Sequence, residues 1–330
     1  MRGLFLDGRA LSYRSDLPVP SLEPGWALVR VERAGICSTD LQLAAGLYDF
    51  HGIPGHEFVG IVERVAGTIE EETKWSGQRV VGEINIACGR CDLCLRELGK
   101  HCRQRLVLGI REHHGAFAEL LTLPLVNLHR VPPELDADTA VLTEPLAAVF
   151  DILDKVEFQP ATTVAIVGDG RLAQLAARVL LGQVETVAVL GRYPDKLNRL
   201  PAGSRGFLEP PAGMIHACDV VVECSGSAAG LGSALELVRP GGKVILKSTH
   251  REPLPLPTEA IVVNEITLLG SRCGNFPRAL KFLCDLAGSG QKKDQDLSNL
   301  VDAHFKIEEG LAAFQHARHK SHIKTVLSMD

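Results

Sequence analysis

Two kinds of hydrophobic pattern divide the chain. Up to about residue 135, short runs alternate or cluster β-branched residues: ALVRVER (27–33), GIVERVAG (60–67), QRVVGEI (78–84) and AFAELLTL (116–123). Such runs, bounded by glycine, predict strands. Loops bearing Gly and Pro, such as GLYDFHGIPGHE, lie between them and predict a barrel-like β domain with long loops. From Thr139 the texture changes. TAVLTEPLAAVFDILDKV (139–156) has helical spacing, and strands then alternate with helices: TVAIVG (163–168), RLAQLAARVLLG (171–182), ETVAVLG (185–191), DVVVECSG (219–226), LGSALELV (231–238), GKVILKST (242–249) and ITLLGSR (266–272). These strands are apolar without alternation, as expected when helices cover both faces of a parallel sheet. The middle section therefore predicts a doubly wound nucleotide-binding fold. After Pro277, two amphipathic helices and a closing strand, IKTVLSM, predict a segment that packs back onto the first domain.

Composition narrows the function classes. The 330 residues carry 35 Lys plus Arg against 40 Asp plus Glu, a net charge of -5, which argues against a general nucleic-acid binder. No apolar run approaches the ~20 residues of a membrane span, and the charged N-terminus does not read as a signal peptide. A cytosolic protein without membrane or nucleic-acid partners is expected. Of nine cysteines, Cys88, Cys91, Cys94 and Cys102 crowd into one short stretch. In a reducing compartment such a cluster reads as a metal site before it reads as disulfides.

The turn VAIVGDGRLAQL carries G-x-G-x-x-A as Gly168, Gly170 and Ala173, with Asp169 and Leu172 between them. The first glycine permits the tight turn, the second admits a pyrophosphate to the backbone, and small Ala173 lets helix and strand pack. The helix N-terminus then offers free N–H groups to phosphate. At the end of the second strand, where a carboxylate would bind the adenosine ribose, stand Gly191 and Arg192, with Lys196 following. Without that carboxylate, and with an Arg as bidentate donor, the pattern favours NADP over NAD; the alternative is that both cations are solvated turn residues.

Two sets of metal ligands are legible. Cys88-x2-Cys91-x2-Cys94-x7-Cys102 offers four thiolates from one loop, which suits closed, structural tetrahedral zinc, with iron–sulfur ligation as the competitor. The second set is dispersed: Cys37 in GICSTD, His56 and Glu57 in PGHE, and Glu144 in TEPLA. One thiolate, one imidazole and one or two carboxylates can hold zinc and leave a position open to substrate. Taken singly, each of these residues is more often structural.

Together these segments resemble the zinc-dependent medium-chain alcohol dehydrogenase family over essentially the whole chain, nearest to its threonine, polyol and sugar dehydrogenase branch. The segments carrying the resemblance are GICSTD, GHEFVGIVERV, GQRVVGEINIACGRCDLC, EPLA, GDGRLA, ECSG and IKTVL. The resemblance implies an α/β protein: a chaperonin-10-like β barrel catalytic domain (1–145) with a structural zinc lobe at 84–105, a doubly wound Rossmann domain (146–275), and a C-terminal segment (276–330) returning to the first domain. It implies that Cys37, His56 and Glu144 are direct ligands of a catalytic zinc, that Glu57 is a fourth ligand or exchanges with water, and that Asp40 accepts a hydrogen bond from His56. Thr39 matches the hydroxyl residue that bonds the substrate oxygen. Ser225, Gly226, Ser248, Thr249, Ser271, Arg272 and Cys273 would line the cofactor groove, and Lys324 would meet the pyrophosphate. The implied activity is hydride transfer between a secondary alcohol, polyol or sugar-like substrate and NAD(P), in a homodimer or homotetramer. The competing class is a catalytically retired scaffold that senses cofactor or binds a partner.

Three departures from the family stand out. Gln42 stands where some members have a titratable His for proton exit, which leaves His51 as the loop candidate. Asn85 replaces a His found in threonine dehydrogenases. PAGSRGFLEPPAGMI (201–215) replaces a helix–strand stretch of the Rossmann domain.

Overall fold

The alternating strands and the continuous apolar strands fold into two separate compact units. The computed structural model describes residues 1–249, 256–288 and 297–330. The first unit comprises Met1–Glu144, Phe276–Ser289 and Val301–Asp330, and the second Pro145–Asn275 and Gly290–Leu300. Among the described residues no helix is long and apolar enough to cross a membrane.

The first unit is organised by the long antiparallel pair Trp26–Gly35 and Glu57–Ala66. Val29 and Val31 are buried and Arg30 between them is exposed, the period of two of a strand, while Leu28, beside a register shift, is buried as well. Around this pair the sheet runs Leu128–Arg130, Arg79–Gly82, Glu57–Ala66, Trp26–Gly35, Lys324–Ser328, Val301–Lys306, with Leu120–Pro124 also paired to Trp26–Gly35. The C-terminal strand thus completes a sheet begun about 300 residues earlier in the chain. A two-stranded ladder, Asn85–Ile86 with Leu106–Val107, frames the cysteine-rich loop.

The second unit is a six-stranded parallel sheet in the order Ser204–Phe207, Val187–Leu190, Val164–Val167, Cys218–Glu223, Val238–Leu246, Thr267–Gly270. In chain order this is 3-2-1-4-5-6, the doubly wound arrangement. Ala165, Val167, Val221 and Val244 pack with Leu231, Ala234 and Leu235 of helix Ala228–Leu237. Fully burying each such Val or Leu stabilises by about 1.5–3 kcal/mol.

Two expectations need correction. The helical stretch 139–156 is two helices, Ala137–Ala140 and Thr143–Phe150. Asp136 caps the first through Oδ1, which accepts from Thr139 N at 2.8 Å. Pro145 lacks an N–H and is tolerated only in a first turn, so it marks where the second begins. The segment 201–215 has kept its strand: Ser204–Phe207 pairs in parallel with Val187–Leu190. This edge strand is half-exposed to exposed, so it lacks the apolar run that marks its neighbours.

Candidate active site

Strand register assembles the dispersed ligands. Gly35 stands opposite Glu57 in the antiparallel pair. Cys37 follows Gly35 by two residues and caps helix Ser38–Ala44, and His56 immediately precedes Glu57. The pairing therefore carries all three side chains to one edge. Their ligand atoms lie within 4.8 Å of one another, and all three residues are buried. Asp40, wholly buried, holds the chain on both sides: Oδ2 accepts from Cys37 N at 2.8 Å and Oδ1 from Gly55 N at 3.2 Å. Asp40 Oδ1 also stands 3.2 Å from His56 Nδ1, the pairing that the resemblance implies. Burial opposes protonation of His56, and the charges of Asp40 and Cys37 outweigh it, holding its pKa well above the ordinary histidine value. Thr39 Oγ1 lies 3.7 Å from Cys37 Sγ.

The C-terminal strand adds a fourth group. Val326 pairs with Gly35, so Lys324 arrives at the same edge. Its ammonium contacts Glu57 Oε2 and donates to Ile36 O at 3.2 Å, and neither the Lys324 nor the Glu57 side chain is exposed. Burial pulls the Lys324 pKa down to about 8 against the opposing pull of Cys37 and Asp40. A Cβ on Gly35 would collide with Lys324 and with Glu57 Oε2, so glycine is what admits the ion pair. Thiolate, imidazole and carboxylate donors converging in this way form a set that suits zinc.

In the cysteine-rich loop, Cys91 Sγ lies 3.4 Å from Cys94 Sγ and 3.8 Å from Cys102 Sγ, and Cys88 Sγ 3.9 Å from Cys94 Sγ. All four ligand atoms fall within 4.8 Å of one another. Backbone N–H donors, with that of Arg90 foremost, bring the Cys88 pKa down to about 6, whereas burial pushes Cys94 up to about 12. Such crowded thiols suit a closed tetrahedral zinc.

In the second unit, Gly168 has φ 121°, and a Cβ there would meet the Cys224 and Ser225 backbone at 2.9–3.0 Å. Gly170 caps helix Arg171–Leu180, and its Cβ position faces open space. That opening, beside unsatisfied helix N–H groups, fits a pyrophosphate. Buried Glu223 holds the neighbouring ECSG turn: Oε1 accepts from Ser225 N at 2.7 Å, Ser225 Oγ at 2.5 Å and Gly226 N at 3.2 Å.

Comparison with known proteins agrees with this geometry. Residues 23–133 match the alcohol dehydrogenase GroES-like domain, and residues 212–286 match the zinc-binding dehydrogenase domain. Alcohol dehydrogenase TADH from Thermus sp. ATN1 superposes with a TM-score of 0.85 at 30% identity, covering 99% of both chains. The chain belongs to the zinc-dependent medium-chain alcohol dehydrogenases. A zinc-binding dehydrogenase from Sinorhizobium meliloti 1021, solved with NADP, has a TM-score of 0.86 at 25% identity over 99% of this chain and 98% of its own. Sorbitol dehydrogenase from Halalkalibacterium halodurans is 26% identical over 94% of each chain. As a member of this family the protein is an NAD(P)-dependent oxidoreductase.

Glu144 lies half-buried in helix Thr143–Phe150, outside the cluster of Cys37, His56 and Glu57, whose carboxylate shares the strand register that positions Cys37. Lys324, expected at the pyrophosphate, has its ammonium buried within the first unit on Glu57. Ser271 is engaged internally, donating to Asp151 Oδ2 at 2.8 Å and lying 3.1 Å from Lys247 Nζ. Ser225, Gly226, Ser248, Thr249, Arg272 and Cys273 follow the C-terminal ends of the parallel strands and are exposed or half-buried. His51 is exposed, with Nδ1 2.7 Å from Asp7 Oδ1. Sequence reasoning missed Glu223, Lys247 and Asp151. An isolated charge in an apolar run, as in VVVECSG and VILKST, was the available signal, since charge is rarely buried unless paired.

Proposed function

We propose that this dehydrogenase interconverts a secondary alcohol, polyol or sugar-like small molecule and its carbonyl compound, using zinc and a nicotinamide dinucleotide. The convergence of Cys37, His56 and Glu57 within 4.8 Å carries this reading. Zinc, when bound, supplies a Lewis acid that polarises the substrate oxygen and lowers the alcohol pKa towards neutrality. Cys37, His56 and Glu57 hold the ion, with Glu144 as the further carboxylate that the family pattern assigns to it. Asp40 orients the Cys37 backbone and balances His56. Thr39 accepts a hydrogen bond from the substrate hydroxyl and relays the proton, its own hydroxyl hydrogen passing outward to solvent as the substrate ionises. Lys324 offsets the Glu57 charge, so that the donor set does not carry an excess of negative charge. Gly168 and Gly170 would admit the dinucleotide, which would supply the hydride acceptor or donor. Cys88, Cys91, Cys94 and Cys102 hold a second, structural zinc. A cytosolic homodimer or homotetramer is part of the same reading. Metal analysis joined to turnover on a panel of polyols and secondary alcohols tests it. Two zinc ions per chain with turnover on at least one member are expected; a single zinc, confined to the four-cysteine loop, and no turnover would favour a retired scaffold instead.

A further inference from the structure

The end of the second parallel strand, Val187–Leu190, has no carboxylate of its own in sequence, yet one is present in space. Asp169, from the glycine-rich turn after Val164–Val167, lays its side chain across the strand ends. Its Oδ2 accepts from Arg192 N at 2.6 Å and from Tyr193 N at 2.9 Å. Gly191 is what makes this possible: a Cβ there would stand 2.7 Å from Asp169 Cβ and 2.9 Å from Asp169 Oδ2. Asp169 Oδ1 is not spent on the backbone. It faces Lys196 Nζ at 3.8 Å, beyond hydrogen-bond range, with the two side chains 11% and 7% exposed. The two cations that the sequence offers to a phosphate are therefore unequal. Arg192 is exposed, whereas Lys196 is buried, with its ammonium between Asp169 and the Tyr193 ring, 5.1 Å from the ring centroid.

In a doubly wound fold the adenosine ribose is read at the end of the second strand, where a carboxylate accepts from its 2′-hydroxyl and repels a 2′-phosphate. We propose that Asp169 is this nucleotide-selectivity residue, its carboxylate delivered from the first turn instead of from the second strand. This rests on the dinucleotide site proposed above. Asp169 accepts from the 2′-hydroxyl through Oδ1, and its charge opposes a 2′-phosphate. It also engages Lys196, leaving Arg192 as the cation that favours the phosphate.

The test is direct binding of NADH and NADPH to the zinc-replete full chain, followed by nicotinamide fluorescence, for the parent protein and Asp169→Asn. Asparagine keeps an acceptor for the two backbone N–H groups and removes the charge. A charged hydrogen bond contributes enough that the NADH-to-NADPH affinity ratio should move at least about fivefold towards NADPH. A smaller move, a move towards NADH, or an equal loss of both ligands would show that Asp169 only braces the turn, and would overturn the proposal. A second measurement needs no variant: the parent should bind 2′-deoxy-NADH at least about fivefold more weakly than NADH. Equal affinity for the two overturns the proposal even if Asp169→Asn does not fold. Failure of the parent to bind either dinucleotide would instead remove the site reading on which the proposal stands.

Discussion

Cys88, Cys91, Cys94 and Cys102 approach one another inside a single loop, whereas Cys37, His56 and Glu57 meet because Gly35 is paired with Glu57 across two strands. The first set draws all its ligands from residues 88–102. Its two-stranded frame, Asn85–Ile86 with Leu106–Val107, is too small to bury a core, so the ion itself would organise the loop. The second set is the reverse. Its geometry belongs to the sheet, with Asp40 tying the Cys37 and Gly55 amides and Lys324 entering from the far end of the chain. A locally written site couples metal to local folding; a register-built site can lose its metal and keep its scaffold.

This contrast can be broken experimentally, starting with the largest effect. Cys37→Ser removes a ligand outright, and turnover should fall by more than the roughly 10–100-fold typical of changes to residues behind the ligands. The urea midpoint should hold; a large loss of stability would mean that the register-built site also depends on its ion. Lys324→Met leaves Glu57 buried without its ammonium partner, and should destabilise the first unit by about 3–5 kcal/mol. Combining it with Glu57→Gln should recover part of that loss in a double-mutant cycle, and strict additivity would contradict the coupling. Cys91→Ser should cost about 3 kcal/mol, a loss of the kind expected when a structural metal is removed. One zinc per chain should disappear with it, and proteolysis should focus on residues 88–102. Unchanged zinc content would remove the structural site from the comparison.

The smallest effect lies in the second unit, where an ordinary carboxylate clip replaces metal. Asp219 Oδ2 accepts from Thr163 N at 2.8 Å and Thr163 Oγ1 at 2.6 Å, and Oδ1 accepts from Arg239 Nε at 2.7 Å. The Thr163 hydroxyl leads, with Arg239, in bringing its pKa from 3.8 down to about 2. A depressed carboxylate pKa means that the unfolded state binds the proton more readily. The stabilisation is therefore complete above about pH 4 and is lost as pH falls through about 2. For this partly exposed group it is about 1 kcal/mol after solvent screening. The difference in urea midpoint between the parent and Asp219→Asn should shrink over that window; a constant difference would show that the clip acts through packing.

Much of this architecture was legible beforehand because its signals are local. The apolar runs TVAIVG and DVVVECSG marked central parallel strands, and G-x-G-x-x-A marked the tight turn between a strand and a helix. The strand Ser204–Phe207 was not legible, since an exposed edge strand needs no apolar run. Nor was the placement of Asp169, which depends on a neighbouring strand ending in glycine.

By itself, then, the sequence determined the two-part α/β organisation, the four-thiol loop and the residue types of the dispersed site, because spacing and periodicity act over short chain distances. Only the tertiary structure decided that Glu57 clusters with Cys37 and His56, that Lys324 is buried against Glu57, and that Asp169 reaches the end of the second strand. Each of those outcomes depends on strand register and on side chains packing from distant segments, and neither is encoded in any one stretch of the chain.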